Sequence, residues 1–252
     1  MECNRPTQAQ IPQLLSLWNQ AFGEHNGYWE LFLETAYTPE HCRCITEGDQ
    51  VTAALFWFDV SLQGEKIAYL YGVVTHPDHR GKGLCRALME DTRVLLTVLG
   101  YSGILLKPEK ESLREMYRKL GYRDCTRICS FRCTAAETAV SLRAIGPEEF
   151  ARLRRIYIPQ GGVIQEETCL SFLAAQMQFY AGSDFLLAAW QEDGHLTAME
   201  LLGNLSAAPG ILCALSCREG DFRTPGDDLP FAMYRPLLPQ AVVPGYLGFA
   251  FD

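Results

Sequence analysis

Residues 69–85 read YLYGVVTHPDHRGKGLC and pass from a β-branched and aromatic run, through a break at Pro77, to Arg80-Gly81-Lys82-Gly83 and a long helical pattern. That order is strand, turn, glycine-rich loop, helix. Glycines at 81 and 83 let backbone N–H groups turn toward one point, and the following helix adds its own unpaired N–H groups and positive dipole end. Such a stretch is an anion site suited to a phosphate or pyrophosphate, with Arg80 and Lys82 adding full charge. Two familiar phosphate loops are excluded. The dinucleotide fingerprint G-x-G-x-x-G meets Arg86 at its third glycine, and the Walker loop G-x-x-x-x-G-K-[ST] occurs nowhere in the chain.

The stretch resembles motif A of the GNAT superfamily of acyl-CoA-dependent N-acyltransferases, [QR]-x-x-G-x-[GA], which falls on Arg80, Gly81, Lys82, Gly83, Leu84 and Cys85. The last position departs, Cys standing for Gly or Ala; Cys is still small, so the backbone N–H remains usable. Downstream, Leu113–Tyr122 resembles the superfamily helix ending Y-x-K-x-G-[FY], with its tyrosine at Tyr117. Two motifs in order at the usual separation are more specific than either alone. Within the superfamily, THPDHRGKGLCRALM and the length beyond residue 135 are similar to the enhanced intracellular survival (Eis) type, without its further C-terminal domain. The recognisable part is residues 1–133.

A chain of 252 residues holds one large domain or two small ones. No apolar run approaches the ~20 residues of a membrane span, and the N-terminus lacks the charged-then-apolar form of a signal peptide, so no membrane partner and a cytoplasmic location are expected. The net charge of −8 argues against a nucleic-acid surface and favours a cationic partner such as an amine. Ten cysteines without a C-x-x-C pair read as reduced, mostly buried thiols, and no metal site is expected.

The expected order is a helix with apolar positions Ile11, Leu14, Leu15, Trp18 and Phe22, a second helix through Trp29, Phe32 and Leu33, a hairpin over 42–47 and 51–62, and a strand over 66–75. Next come a helix over 83–99 with Leu84, Leu88, Leu95 and Leu99 inward, a strand at 104–106, a helix over 109–120 and a strand over 122–133. This is a mixed α/β (α+β) sheet flanked by helices. Residues 134–140 read as a linker, so the expected domains are 1–134 and 135–252. The second domain repeats the early order, with helices over 147–157 and 166–180 and then a hairpin in which Leu196-Thr-Ala-Met-Glu matches Val51-Thr-Ala-Ala-Leu. It reads as a degenerate copy: after 210–216, its expected central strand, the phosphate loop is replaced by CREGDFRTPG. It is expected to bind no second CoA and to wall the acceptor side of the first domain's cleft. The terminal run 246–252 reads as an apolar strand.

The resemblance implies acetyl-CoA as donor and an N-acetyltransferase acting on a primary amine of a small molecule or peptide; the alternative is an acyl-CoA-binding sensor without turnover. It implies that Val73, Val74 and Thr75 on an open strand edge bond the pantetheine amides, while Arg80, Gly81, Lys82, Gly83, Leu84, Cys85 and Arg86 hold the pyrophosphate. Ser112, with Glu111, lies at the start of the next helix within reach of the donor. Tyr117 is the implied general acid: a tyrosine of pKa about 10 is protonated at neutral pH and can donate to a departing thiolate. Asp252, carrying side-chain and terminal carboxylates, is the candidate base or amine anchor, because in the Eis type a terminal carboxylate reaches the active site; Glu24, His25 and Glu65 are further candidates. A homo-oligomer is compatible with this reading.

Overall fold

The computed structural model describes residues 2–23 and 27–250. The first part of the chain forms β1 (Glu2–Asn4), α1 (Ile11–Phe22), α2 (Tyr28–Thr35), β2 (Cys42–Glu47), β3 (Gln50–Leu62), β4 (Glu65–Thr75), α3 (Leu84–Val98), β5 (Gly103–Leu106), α4 (Glu111–Lys119) and β6 (Arg123–Asp124). The second forms β7 (Arg127–Thr134), β8 (Arg143–Ile145), α5 (Pro147–Tyr157), α6 (Thr168–Ala174), β9 (Gln178–Ala181), β10 (Phe185–Glu192), β11 (His195–Gly203), α7 (Ala208–Ala214), β12 (Glu219–Pro225), β13 (Leu229–Pro230) and β14 (Met233–Pro236). Two mixed sheets result, ordered β1-β2-β3-β4-β5-β14-β6 and β8-β9-β10-β11-β12-β7-β13. Among the described residues no helix is long and apolar enough to cross a membrane.

The chain divides into Met1–Arg123 with Tyr234–Val242, and Asp124–Met233 with Val243–Asp252. This differs from the expected boundary at 134. The run 122–133 is not one strand: β6 closes the first sheet, whereas β7 pairs with β12 of the second, from Glu219↔Thr134 to Pro225↔Ile128. The last interior place in the first sheet is taken by β14, from far along the chain.

In the first unit, α1 and α2 cover one face of the sheet. Trp18 packs on Phe56 and Tyr71 at centroid distances of 5.8 and 5.2 Å, and Phe32 on Phe56 and Phe58 at 5.2 and 6.2 Å. Arg43 is registered against Leu55, which points to the face opposite Phe56, and there it bonds Asp91 of α3 through Nε (2.9 Å) and one terminal nitrogen (2.6 Å). The inner stripe of α3 is Leu84, Leu88, Met89, Thr92 and Leu96. Leu99, expected inward, is exposed because the helix ends at Val98 and Gly100 takes positive φ. Each buried aliphatic of that stripe contributes about 1.5–3 kcal/mol.

In the second unit the expected long helix over 166–180 is two elements. Residues 168–174 are helical, but 178–181 alternate exposed and buried with period two and pair with β10 as β9. Residues 210–216 are not a strand either: α7 runs through them, begun by Pro209 at a first-turn position where its missing N–H costs nothing. The strand after α7 is β12, parallel to β11 from His195↔Glu219 to Ala198↔Phe222. By sheet place β8, β9, β10, β11 and β12 therefore correspond to β1, β2, β3, β4 and β5. The counterpart of Leu196 lies on β4 rather than at Val51.

Of the terminal run, residues 246–250 are buried and form no strand. Gln165 takes the groups a neighbouring strand would use, its Nε2 donating to Phe249 O at 2.8 Å and its Oε1 accepting from Phe249 N at 3.1 Å. Below it, Arg154 pairs with Glu200 through two bonds of 2.7 and 2.9 Å, and Tyr246 Oη donates to Glu200 at 3.0 Å.

Candidate active site

The site forms where two parallel strands part. β4 and β5 are joined at their start: Ser102 N and Oγ both donate to Lys66 O, at 2.8 and 3.1 Å, and the ladder then runs Ile67↔Gly103, Ala68↔Ile104, Tyr69↔Leu105. It stops there while β4 continues to Thr75, so residues 70–75 have no partner strand on that edge among the described residues. The amides left unpaired on that edge can serve an extended ligand. Val73 and Thr75 are half-buried on this segment and Val74 is buried.

A bulge sets the direction of the edge. The β3–β4 register shifts between Ala54↔Val74 and Phe56↔Tyr71, so Gly72 and Val73 oppose the single residue Leu55. Gly72 has φ +59, a region glycine enters without strain. Tyr71, just before the bulge, bonds hydroxyl to hydroxyl with Tyr28 at the start of α2, and burial pushes its pKa well above the usual tyrosine range.

Beyond Thr75 the chain makes a short 3-10 turn, Pro77–His79, and enters the glycine loop. Gly81 and Gly83 have φ +75 and +82, and a Cβ on either would meet nothing within 4 Å. The first helical bond of α3 is Ala87 N to Gly83 O at 3.0 Å, leaving the N–H groups of Leu84, Cys85 and Arg86 without backbone partners among the described residues. Arg80, Lys82 and Arg86 are exposed around them, and Arg80 Nε donates to Thr75 O at 3.2 Å. Leu84 is buried and fixes the start of the helix. Burial raises the pKa of the Cys85 thiol.

Tyr117 lies on the buried side of α4, 6% exposed, with its ring edge-on to Tyr122 at 5.7 Å. Its hydroxyl makes no hydrogen bond to any described residue. Burial, and secondarily Cys85 nearby, push its pKa far above the usual tyrosine value, so it holds its proton through the physiological range. Ser112 is exposed in the first turn of α4. Glu111 is engaged elsewhere: its carboxylate pairs with Arg118 at 2.8 Å and Arg114 at 3.5 Å.

Of the candidate bases, Glu65 begins β4 at the joined end, about 30 Å from Thr75 at ~3.3 Å per residue, too far to take a proton at the open end. Glu24, His25 and Asp252 lie outside the described residues. An open pocket of about 460 Å³ lies between α1 and the β2–β3 turn, lined in part by Gln13, Gln20, Glu47, Asp49 and His76.

The corresponding place in the second unit follows β11, not α7. The loop 203–210 reads GNLSAAPG and carries no cation. Its Ser206 N–H and hydroxyl both donate to Asn204 Oδ1, at 3.0 and 2.6 Å.

Residues 2–125 match the model of the Acetyltransferase (GNAT) domain, so the chain carries a GNAT acetyltransferase domain and is an enzyme of that class. No curated protein matches the sequence. Among solved structures, the chain is similar to a GCN5-related N-acetyltransferase from Kribbella flavida, at 19% identity and TM-score 0.74, over 93% of this chain and 70% of that one. It is also similar to Eis1 from Mycobacterium abscessus, at 12% identity and TM-score 0.69, over 94% and 74%. A tandem GNAT protein from the clavulanic acid biosynthesis pathway is similar at 12% identity and TM-score 0.56, over 95% and 99%. These are likenesses of fold, and the last carries the same doubling of the fold.

Proposed function

We propose that the first unit transfers an acetyl group from acetyl-CoA to a primary amine of a small molecule or peptide, by direct attack in a ternary complex. What supports the reading is an unpaired β4 edge followed by the free N–H groups and cations of residues 80–86, with Tyr117 of α4 near Cys85 and its hydroxyl without a bond of its own. The N–H groups and cations fit a pyrophosphate, and the β4 edge fits an amide-bearing arm leading from it.

The neutral amine attacks the thioester carbonyl, a C–N bond forms, and the tetrahedral intermediate collapses by breaking the C–S bond. The thiolate takes the proton of Tyr117, while the amine nitrogen gives its proton to a base. An amine of pKa near 10 is only about one part in a thousand neutral at pH 7, so a base must also take the ammonium's extra proton before attack. Most of the rate enhancement then comes from positioning and from backbone polarisation of the carbonyl. Thiol release from acetyl-CoA, corrected for hydrolysis, against polyamines, aminoglycosides, amino acids and peptides tests this. Amine-dependent release with at least one class is expected; tight binding of acetyl-CoA with no release in any would contradict the transfer.

A further inference from the structure

The donor loop is tied to the β2–β3 hairpin at two points. One is a backbone bond, His76 N to Thr52 O at 2.8 Å. The other joins side chains: His79 Nδ1 lies 3.2 Å from Glu47 Oε2. His79 ends the turn Pro77–His79 and directly precedes Arg80. Its side chain is 17% exposed, and its ring stands edge-on to His76 at 5.5 Å. Its Nδ1 is buried and makes no aligned hydrogen bond. The contact with Glu47 is thus a close polar approach of two side chains rather than an aligned hydrogen bond. The hairpin is itself held: Gln13 of α1 donates to Asp49 O at 3.0 Å and accepts from Val51 N at 2.8 Å.

We propose that Glu47 and His79 are positioning residues for the donor. Glu47 orients His79, and through it the turn that presents Arg80 and the N–H groups of residues 84–86. The need follows from the loop's composition. Two glycines in the left-handed region give residues 80–83 wide freedom, and ordering such a loop only when ligand arrives weakens binding. A strut ahead of Arg80 moves that ordering into folding. The inference rests on the reading of residues 80–86 as the pyrophosphate site.

The test is steady-state kinetics on the full chain with acetyl-CoA as the varied substrate. Glu47→Gln and His79→Gln are each expected to raise the acetyl-CoA KM about five- to tenfold, with kcat at saturating donor within twofold of wild type and the amine KM unchanged. The double variant should be no worse than either single one, because both remove the same contact. Amide hydrogen exchange over 80–86 in the free protein should quicken in Glu47→Gln. Folded single variants with wild-type donor KM and exchange would overturn the proposal, as would additive losses in the double variant. Gly83→Glu serves as the separate arm: wild-type donor affinity there removes the loop reading itself, whereas lost affinity there with Glu47→Gln unaffected removes only the strut.

Discussion

The indole of Trp18 occupies the space into which any side chain at position 72 would project: a Cβ on Gly72 would stand 2.3 Å from Trp18 Cζ3 and 3.1 Å from Phe56 Cδ2. The helix over the sheet and the bulge in β4 are therefore fitted to each other, and the bulge directs the unpaired strand edge proposed for the donor. Gly72→Ala combines a strained φ with a collision in a packed aromatic cluster. It should cost about 2–4 kcal/mol and reduce turnover. Thermal unfolding and thiol release together check this; wild-type values in both would show that the bulge is not under this constraint.

At Gly83 the geometry is the reverse. The position is open, with nothing within 4 Å of a Cβ, so Gly83→Glu meets no collision and costs only the strain of its φ of +82, about 1–3 kcal/mol, while placing a carboxylate among the free N–H groups. Acetyl-CoA at about a hundred times its Kd should stabilise the wild type by ~2.7 kcal/mol, raising Tm by roughly five to ten degrees. No shift is expected for Gly83→Glu, and an unchanged shift would remove the loop from the donor site.

Calorimetry should find one acetyl-CoA per chain. The loop 203–210 of the second unit has no cation, and its Ser206 N–H is already bonded to Asn204. A stoichiometry of two would contradict the reading of that unit as a copy without donor chemistry.

Arg154 and Glu200 are 3% and 1% exposed and hold each other through two bonds. Glu200→Gln strands a buried guanidinium charge, and a loss of about 3–5 kcal/mol is expected. Gly248 shares this site, since a Cβ there would lie 1.7 Å from Glu200 Oε1. Denaturant unfolding of Glu200→Gln measures the effect; an unchanged midpoint would show that the pair is dispensable.

The glycine loop is legible in the sequence because its signal is local: glycines, cations and the start of the helix pattern all fall within 80–86. The strand pattern before it carries a further sign, since Gly72 interrupts an apolar run as bulges do. What escapes the sequence is pairing at long range. Nothing in Met233–Pro236 says that this short strand fills a place beside β5. Likewise the likeness of Leu196-Thr-Ala to Val51-Thr-Ala reflects two buried central strands of similar composition, and only the sheet order shows that β11 stands where β4 does. The run 208–215 is apolar and fits a short helix or a strand equally well; Pro209 was the local sign of a helix start. The Glu47–His79 contact joins residues without motif character, so no pattern marks it.

The most direct measurement is amine-dependent thiol release by Tyr117→Phe beside the wild type from pH 6 to 9. The change removes one hydroxyl and little packing. Because burial raises the pKa of Tyr117, the group stays protonated across this range, so its loss should act equally at every pH. A kcat reduced roughly a hundredfold or more, with acetyl-CoA affinity retained, is the expected result. Wild-type turnover across that range would contradict the assignment of Tyr117 as the acid that protonates the departing thiolate.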